Sequence, residues 1–449
     1  MRTSSAWSVT GRCRANAGPR ARPRRAGTLL WVLTAGLLSH GAGALCAEDP
    51  PTPNPGLDYA ALITRLRQEV YEHPGMASIR QQLAVTYNNY GVSFSSQGQW
   101  DQAVIQLKEA LRLEPDNPEF QKNLANIYLN QASEALKRYR PREAKVLVQQ
   151  ALQLTPEHVE AYSLLGEIEY GSQRLKEARA AWKKALELDP SRQELAKRLE
   201  QVTQELPVES NLERLPQAYF DFRYASTLES PVSYEIRDAL LQARKVVGGD
   251  FALWPSYKLV VLLYSDEDFR ALRKEKPEWV AGEFDGKIRV PVPEGEVNLA
   301  AMKTILFHEY THALVHDLTG GQCPTWLNEG LAEYEGRRHM VGALSTLTHA
   351  MENNGLVPWA RLDDSFGLSL TAEQVRLAYE QSYSILRYLV ERYGFWRIRR
   401  VLRDLSQGMA LDAALAQEFH IKVARLEDTW RKWLPGMLEA SRSEPAGTP

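Results

Sequence analysis

Cysteine is nearly absent, with three in 449 residues and only Cys323 beyond position 46. A lone thiol cannot staple a fold, so the mature chain must hold together by packing and hydrogen bonding, and Cys323 reads as a small buried apolar residue. Long hydrophobic runs are lacking too. After Leu38 no stretch approaches the roughly 18 consecutive apolar residues of a membrane span. Nor is there an excess of positive charge: 54 Lys and Arg stand against 56 Asp and Glu, a formal net charge of −2. The charged residues before Glu48 are all arginine (Arg2, Arg12, Arg14, Arg20, Arg22, Arg24 and Arg25), which leaves an acidic body with no long basic run. Phosphate-backbone binding needs a broad basic surface, so a nucleic-acid partner is not expected.

The arginines precede an apolar stretch from Thr28 to Leu38 and mostly small residues from Gly41 to Ala47. That order predicts a signal peptide over 1–47, and hence export to the periplasm or the extracellular space. Ser39 and His40 close the apolar stretch too early for a transmembrane span. A lipid anchor on Cys46 is the alternative, against which the bulky Leu45 stands. At the other end, residues 439–449 are expected to be a flexible tail, leaving room for two folded units.

In the first unit, over 57–205, the chain repeats itself. Ala103, Leu107, Ala110 and Pro115 recur as Ala144, Val148, Ala151 and Pro156, and again as Ala178, Trp182, Ala185 and Pro190, 41 and then 34 residues on. Tyr87 and Gly91 upstream of the first set match Tyr162 and Gly166 upstream of the third. A 34-residue period with small residues at helix contacts and proline at the ends resembles the tetratricopeptide repeat, which implies an all-α solenoid. The second unit has seven extra residues around Ser133 to Tyr139, read as longer facing helices, and residues 57–73 and 192–205 are expected to cap the ends. Such a solenoid offers a concave groove for a protein or peptide partner, with Lys122, Asn123 and Asn126 as candidate contacts; a spacer or a dimerisation surface is the plainer reading.

A polar stretch at 204–216, between Pro207 and Pro216, is the expected junction to a second unit over 216–438. Strands are predicted at 219–224, 257–264 and 287–292, with a helix over 231–247; the prolines ending the last strand place it at a sheet edge. Then comes Ile305-Leu-Phe-His308-Glu309-Tyr-Thr-His312-Ala-Leu-Val315. Spacing of four puts both imidazoles on one helix face, where they can converge on one zinc ion, and Glu309 falls where it can reach water without ligating. A zinc site for catalysis needs a third protein ligand, and Glu329 supplies it, with sixteen residues between it and His312, in Pro324-Thr-Trp-Leu-Asn-Glu329-Gly-Leu-Ala-Glu333. Asn328 is expected to open that second helix. Glu333, one turn beyond Glu329, can accept a hydrogen bond from the outer nitrogen of His308.

The joint motif resembles the gluzincin metallopeptidases, thermolysin and the aminopeptidase N group among them, and more closely the smaller peptidase MA-like domains. The resemblance implies an α+β zincin fold with a helical C-terminal part, one zinc ion per chain on His308, His312 and Glu329, Glu309 as general base, and Glu333 as support for His308. The interhelical gap is shorter than in thermolysin, which implies a tight loop at Gly320 and Gly321. The segment Ala378–Leu389 resembles one in the aminopeptidases where a tyrosine preceding a helix donates to the tetrahedral intermediate; the matching residue is Tyr379, with Tyr383 as the nearby alternative. Ala350-Met-Glu-Asn353 resembles the aminopeptidase motif for a substrate amino terminus but follows both zinc helices, so it is read as chance. In its place stands Gly282-Glu-Phe-Asp-Gly-Lys-Ile-Arg-Val290, an edge to which an extended peptide could add. The expected function is an exported zinc metallopeptidase whose repeats recruit protein substrate or partner. Two rivals remain: an assembly module with a catalytically silent zincin domain, and a hydrolase acting on a non-peptide amide or epoxide.

Overall fold

The computed structural model describes residues 57–443 apart from 229, 274–280, 294, 296, 339–342 and 368–369. The expected signal segment, Cys46 and the end of the tail lie outside the described residues. The N-terminal region is a helical repeat array: α1 Tyr59–Glu72, α2 Ala77–Ser96, α3 Trp100–Leu113, α4 Pro118–Lys137, α5 Pro141–Leu154, α6 Val159–Gly171, α7 Leu175–Leu188 and α8 Gln193–Glu209. The recurring small residues explain the pairing. Ala103, Ala110, Ala144, Ala151, Ala178 and Ala185 are all fully buried, because a methyl group lets one helix lie directly on the next. Gly91 faces Leu107, and at the equivalent place Gly166 faces the larger Trp182, whose indole Nε1–H donates to the Ser163 carbonyl at 3.2 Å.

A Cβ on Gly166 would land inside the Trp182 ring, whereas Gly171 has open space. Overpacking of this kind costs about 1–3 kcal/mol. Gly166→Ala is therefore expected to lower the thermal midpoint of the full chain in a calorimetric scan, with Gly171→Ala near wild type. Equal midpoints for the two variants would contradict the packing described.

The extra length lies in one helix of a pair rather than both, and the first pair shares it: α2 and α4 have 20 residues each against 13 in α6, while α3, α5 and α7 have 14 each. The chain then turns into the second helix of each pair through a residue of positive φ five positions before the first repeat alanine. That residue is Gly98 in the first repeat, but Tyr139 in the second and Gln173 in the third, both at φ 56°. A side chain is disfavoured in this conformation, so its presence asks for compensation. Both side chains find it beyond their own helix pair: the Tyr139 hydroxyl donates to Asp317 outside the array, and the Gln173 amide to Glu209 at the end of α8.

The C-terminal region is mostly helical around one small sheet. In order it comprises β1 Glu213–Leu215, β2 Phe220–Tyr224, α9 Ser230–Phe251, β3 Leu259–Ser265, α10 Asp266–Leu272, β4 Glu283–Phe284, β5 Ile288–Val292, α11 Leu299–Thr319, α12 Thr325–Gly336 and α13 Ser345–Glu352. A 3-10 turn at Trp359–Phe366 leads to α14 Ala372–Tyr393, α15 Phe395–Ser406, α16 Leu411–Phe419 and α17 Val423–Ser443. The strands lie in the order β1-β2-β3-β5-β4, parallel across β2-β3-β5 and antiparallel at both edges. The strand expected at an edge, β5, is instead flanked by β4 at Ile288 and Arg289, and β4 is the outermost strand; Pro291 lies beyond that short pairing. Alternation along β3 splits the core. Leu259, Val261 and Leu263 join the large cluster that includes α9 and α11, while Val260, Leu262 and Tyr264 meet Phe269 of α10 together with Val208 and Leu212 at the end of the repeat array.

The stretch expected to be an exposed junction is thus helical as far as Glu209 and packs onto the sheet. Pro207 sits in the last turn of α8, where one missing N–H breaks little of the helix. Around it lies a buried polar network. Arg289, fully buried on β5, pairs with Glu205 at 3.3 Å, with Glu209 and with Asp285 at 3.2 Å, and donates to the Tyr170 hydroxyl at 2.8 Å. Glu209 also accepts from the Tyr264 hydroxyl at 2.7 Å, and Lys287 stands over the Tyr170 ring at 3.5 Å. Among the described residues no helix is long and apolar enough to cross a membrane.

Candidate metal centre

The site is built on two helices joined by a tight loop. The Asn298 side chain accepts from the Ala301 N–H at 3.1 Å and starts α11; Gly320 ends it, and both Gly320 and Gly321 take positive φ. α12 opens at Thr325 with Pro324 ahead of it, and Asp363 of the 3-10 turn caps it by accepting from the Trp326 N–H at 2.8 Å. Asn328 therefore does not open the helix. Its side-chain oxygen meets His312 Nδ1 at 2.9 Å, which sets that ring's orientation and turns Nε2 toward Glu329.

His308, His312 and Glu329 come together as a buried group whose candidate ligand atoms lie within 4.8 Å of one another. Glu329 Oε2 is 3.4 Å from His308 Nε2 and 3.5 Å from His312 Nε2. Both Nε2 atoms are buried without a hydrogen-bond partner. Two imidazole nitrogens and a carboxylate oxygen converging on one point fit a borderline-soft dication such as zinc. Outside this group, Glu333 Oε1 lies 3.5 Å from His308 Nδ1 and Glu333 is itself held by Arg337 at 2.7 Å.

Glu309 is on the same helix turn and equally buried, and neither of its oxygens has a hydrogen-bond partner. Burial raises its carboxyl to about 7, with the charges of His312 and His308 working against the rise. Burial would raise Glu329 as well, but the same two histidines overcome it and hold that carboxyl at about 2. One carboxylate of the pair is thus kept ionised, and the other is poised to exchange a proton.

Tyr379 does not precede a helix, as the resemblance implied; it lies inside α14, buried, with its ring edge-on to Phe366 at 5.2 Å. Burial first, then the nearby Glu329, Glu333 and Glu309 charges and a hydrogen bond with Glu329, push its phenol well above the usual range, so it stays a donor. Tyr383 is engaged elsewhere, under the Arg337 guanidinium and beside Arg387. Ala350 to Asn353 belong to the end of α13 and its cap, where Asn353 bonds back to His349. The repeat residue Asn123 donates to Asn88 at 2.8 Å and Asn126 meets His158 at 2.9 Å, so these amides form cross-helix links along the array.

Gly282, just before β4, was not singled out as a site residue. A Cβ there would stand 2.6 Å from Glu309 Oε1 and 2.9 Å from Ile305, so only glycine lets the edge strand come this close to the carboxylate. A glycine inside an otherwise extended segment was the available signal.

Comparison with known proteins finds matches within each of the two regions. Residues 276–436 match the Peptidase MA superfamily, and residues 91–132 and 129–192 match tetratricopeptide repeats. Among curated proteins, RNA polymerase II-associated protein 3 from Homo sapiens and from Mus musculus are each 26% identical over 146 residues, 32% of this chain. The chain spans about a fifth of those relatives' length, 21%. Among solved structures, the first tetratricopeptide domain of the human protein is 26% identical over 29% of this chain and 98% of that one, with a TM-score of 0.23. The first such domain of Spaghetti, solved with an HSP90 peptide, is 25% identical over 28% of this chain and 95% of that one, with a TM-score of 0.22.

Proposed function

We propose that this protein is an exported zinc metallopeptidase of the gluzincin type, with His308, His312 and Glu329 as metal ligands, Glu309 as general base and the repeats as the recruiting surface for a protein substrate or partner. The observation that carries the reading is the meeting of two unpartnered imidazole nitrogens and one carboxylate beside a second buried carboxylate that ligates nothing. Zinc, when bound there, supplies Lewis acidity and a water of lowered pKa. The remaining work falls to the chain. Asn328 and Glu333 fix the two rings, Glu309 takes a proton from the attacking water and returns it to the leaving amine, and the Tyr379 hydroxyl donates to the carbonyl oxygen as it gains charge. The Peptidase MA match supports peptide-bond hydrolysis as the reaction, and the arginine-rich start followed by an apolar stretch supports export.

Metal analysis of the purified full chain is expected to find one zinc per molecule, and none above background in the His308→Ala, His312→Ala double variant, because one carboxylate alone does not retain the ion. Full zinc in the double variant would place the metal elsewhere and end the assignment.

A further inference from the structure

Among the described residues, two contacts between the repeat array and the C-terminal region lead to the rim of the candidate centre. The first starts from Glu205 on α8. Fully buried, it pairs with Arg273 at 3.2 Å, and the same guanidinium pairs with Glu283 of β4 at 2.6 Å. Glu283 follows Gly282, whose backbone abuts Glu309. Three side chains thus connect the last repeat helix to the strand beside the general base. β4 pairs with β5 through only two residues, too short a ladder to hold its own height above α11. The hairpin's other strand is gripped from the same side, since Arg289 meets Glu205, Glu209 and the Tyr170 hydroxyl.

The second contact reaches the zinc helix itself. Tyr139, at the positive-φ turn of the second repeat, stacks on Tyr257 with ring centroids 4.0 Å apart, and both hydroxyls donate to Asp317 near the end of α11. Asp317 follows His316, whose ring lies edge-on to Phe284 of β4 at 6.0 Å. Two repeats give up the glycine their turn favours: the Tyr139 side chain goes to this docking, and that of Gln173 holds Glu209, which in turn meets Arg289 of β5.

We propose that Arg273 is a positioning residue: by bridging Glu205 of the repeat array to Glu283 of β4, it sets where the outermost strand lies above Glu309, and so how an extended peptide is seated for cleavage. The inference rests on the metallopeptidase reading for its substrate and on the geometry alone for its mechanics. A lysine cannot hold two carboxylates with a fixed fork, so Arg273→Lys keeps the charge and loses the bridge. Glu205→Gln keeps the size and loses the charge.

The test uses both variants in the full zinc-loaded chain. Backbone amide exchange over Gly282–Ile288 is expected to speed up about tenfold in each, with α11 amides unchanged, as local opening does when one anchoring contact is removed. In parallel, the ratio of kcat/KM for a ten-residue peptide over that for an acylated dipeptide amide should fall about tenfold, chiefly through KM. Faster exchange spread over the whole chain, or no change over Gly282–Ile288, overturns the proposal, as does an unchanged substrate ratio. If the wild-type chain cleaves no peptide at all, the metallopeptidase reading fails, and the exchange rates still decide whether Arg273 holds β4.

Discussion

Zinc-loaded Glu309→Gln is expected to retain its metal and its melting temperature while peptide turnover falls by about 10² to 10⁴, the usual worth of a well-placed general base. The argument is one of position. Glu309 shares the turn of His308 yet touches neither imidazole through a hydrogen bond, so an amide of equal size leaves the ligand set untouched. What the amide lacks is a basic lone pair, and nothing else buried at that spot can replace it: Glu329 is held ionised between two histidines, and Glu333 is committed to His308 and Arg337. Tyr379→Phe is the companion measurement. It removes one donor and no nucleophile, so it should also keep zinc and lose a smaller factor, on the order of 10² or below. Wild-type turnover in a zinc-loaded Glu309→Gln sample would sink the mechanism and favour the rival reading, a repeat-based assembly module with a silent C-terminal region.

How much of this was legible in the sequence depended on distance along the chain. The repeat alanines, the four-residue spacing of His308 and His312, and Glu333 one turn after Glu329 are local patterns, and a helix of 3.6 residues per turn converts each into a face without further information. Glu329 was found because a catalytic zinc site has a known number of ligands. Asn328 reads as a helix opener, since an asparagine before a helix usually caps it, whereas in the fold Asp363 fills that place and Asn328 meets His312. Tyr139 and Gln173 carried a weak signal in standing where the first repeat has Gly98. Their partners, Asp317 and Glu209, are not near them in sequence, and no periodicity joins the turn at Tyr139 to a helix in the other region. The junction reads as a linker for a related reason. Proline and polar residues at 204–216 have the composition of a linker, but Glu205 and Glu209 are polar because they face Arg289 and Arg273, not water.

That difference changes what a shortened chain should do. From composition, a chain beginning at Leu215 ought to fold and bind zinc; from the structure, it is expected to aggregate or to show no cooperative thermal transition. The charges are not the main reason, because removing α8 opens Arg289 to water along with its partners' departure, and a hydrated arginine costs little. The apolar side chains are. Val260, Leu262 and Tyr264 form the second face of β3, and Val208 and Leu212 help α10 cover it. Exposing even part of such a face costs on the order of 5 kcal/mol, at roughly 1.5–3 kcal/mol for each large apolar side chain. A domain is stable by only about 5–15 kcal/mol in total. A chain beginning at Val159 keeps α6 to α8, and with them Tyr170, Gln173, Glu205, Glu209 and the covering leucine and valine, so it should melt cooperatively and hold zinc although it lacks Tyr139. The single substitution Glu209→Ala in the full chain separates the two costs, since there the apolar face stays covered while Arg289 keeps Glu205 and Asp285 and loses one of its three carboxylates, a loss of about 1–3 kcal/mol. Should the Leu215 chain instead give a sharp transition with full zinc, the α8 contact is an ornament on an independent domain, and Arg273 would have no anchor worth the name.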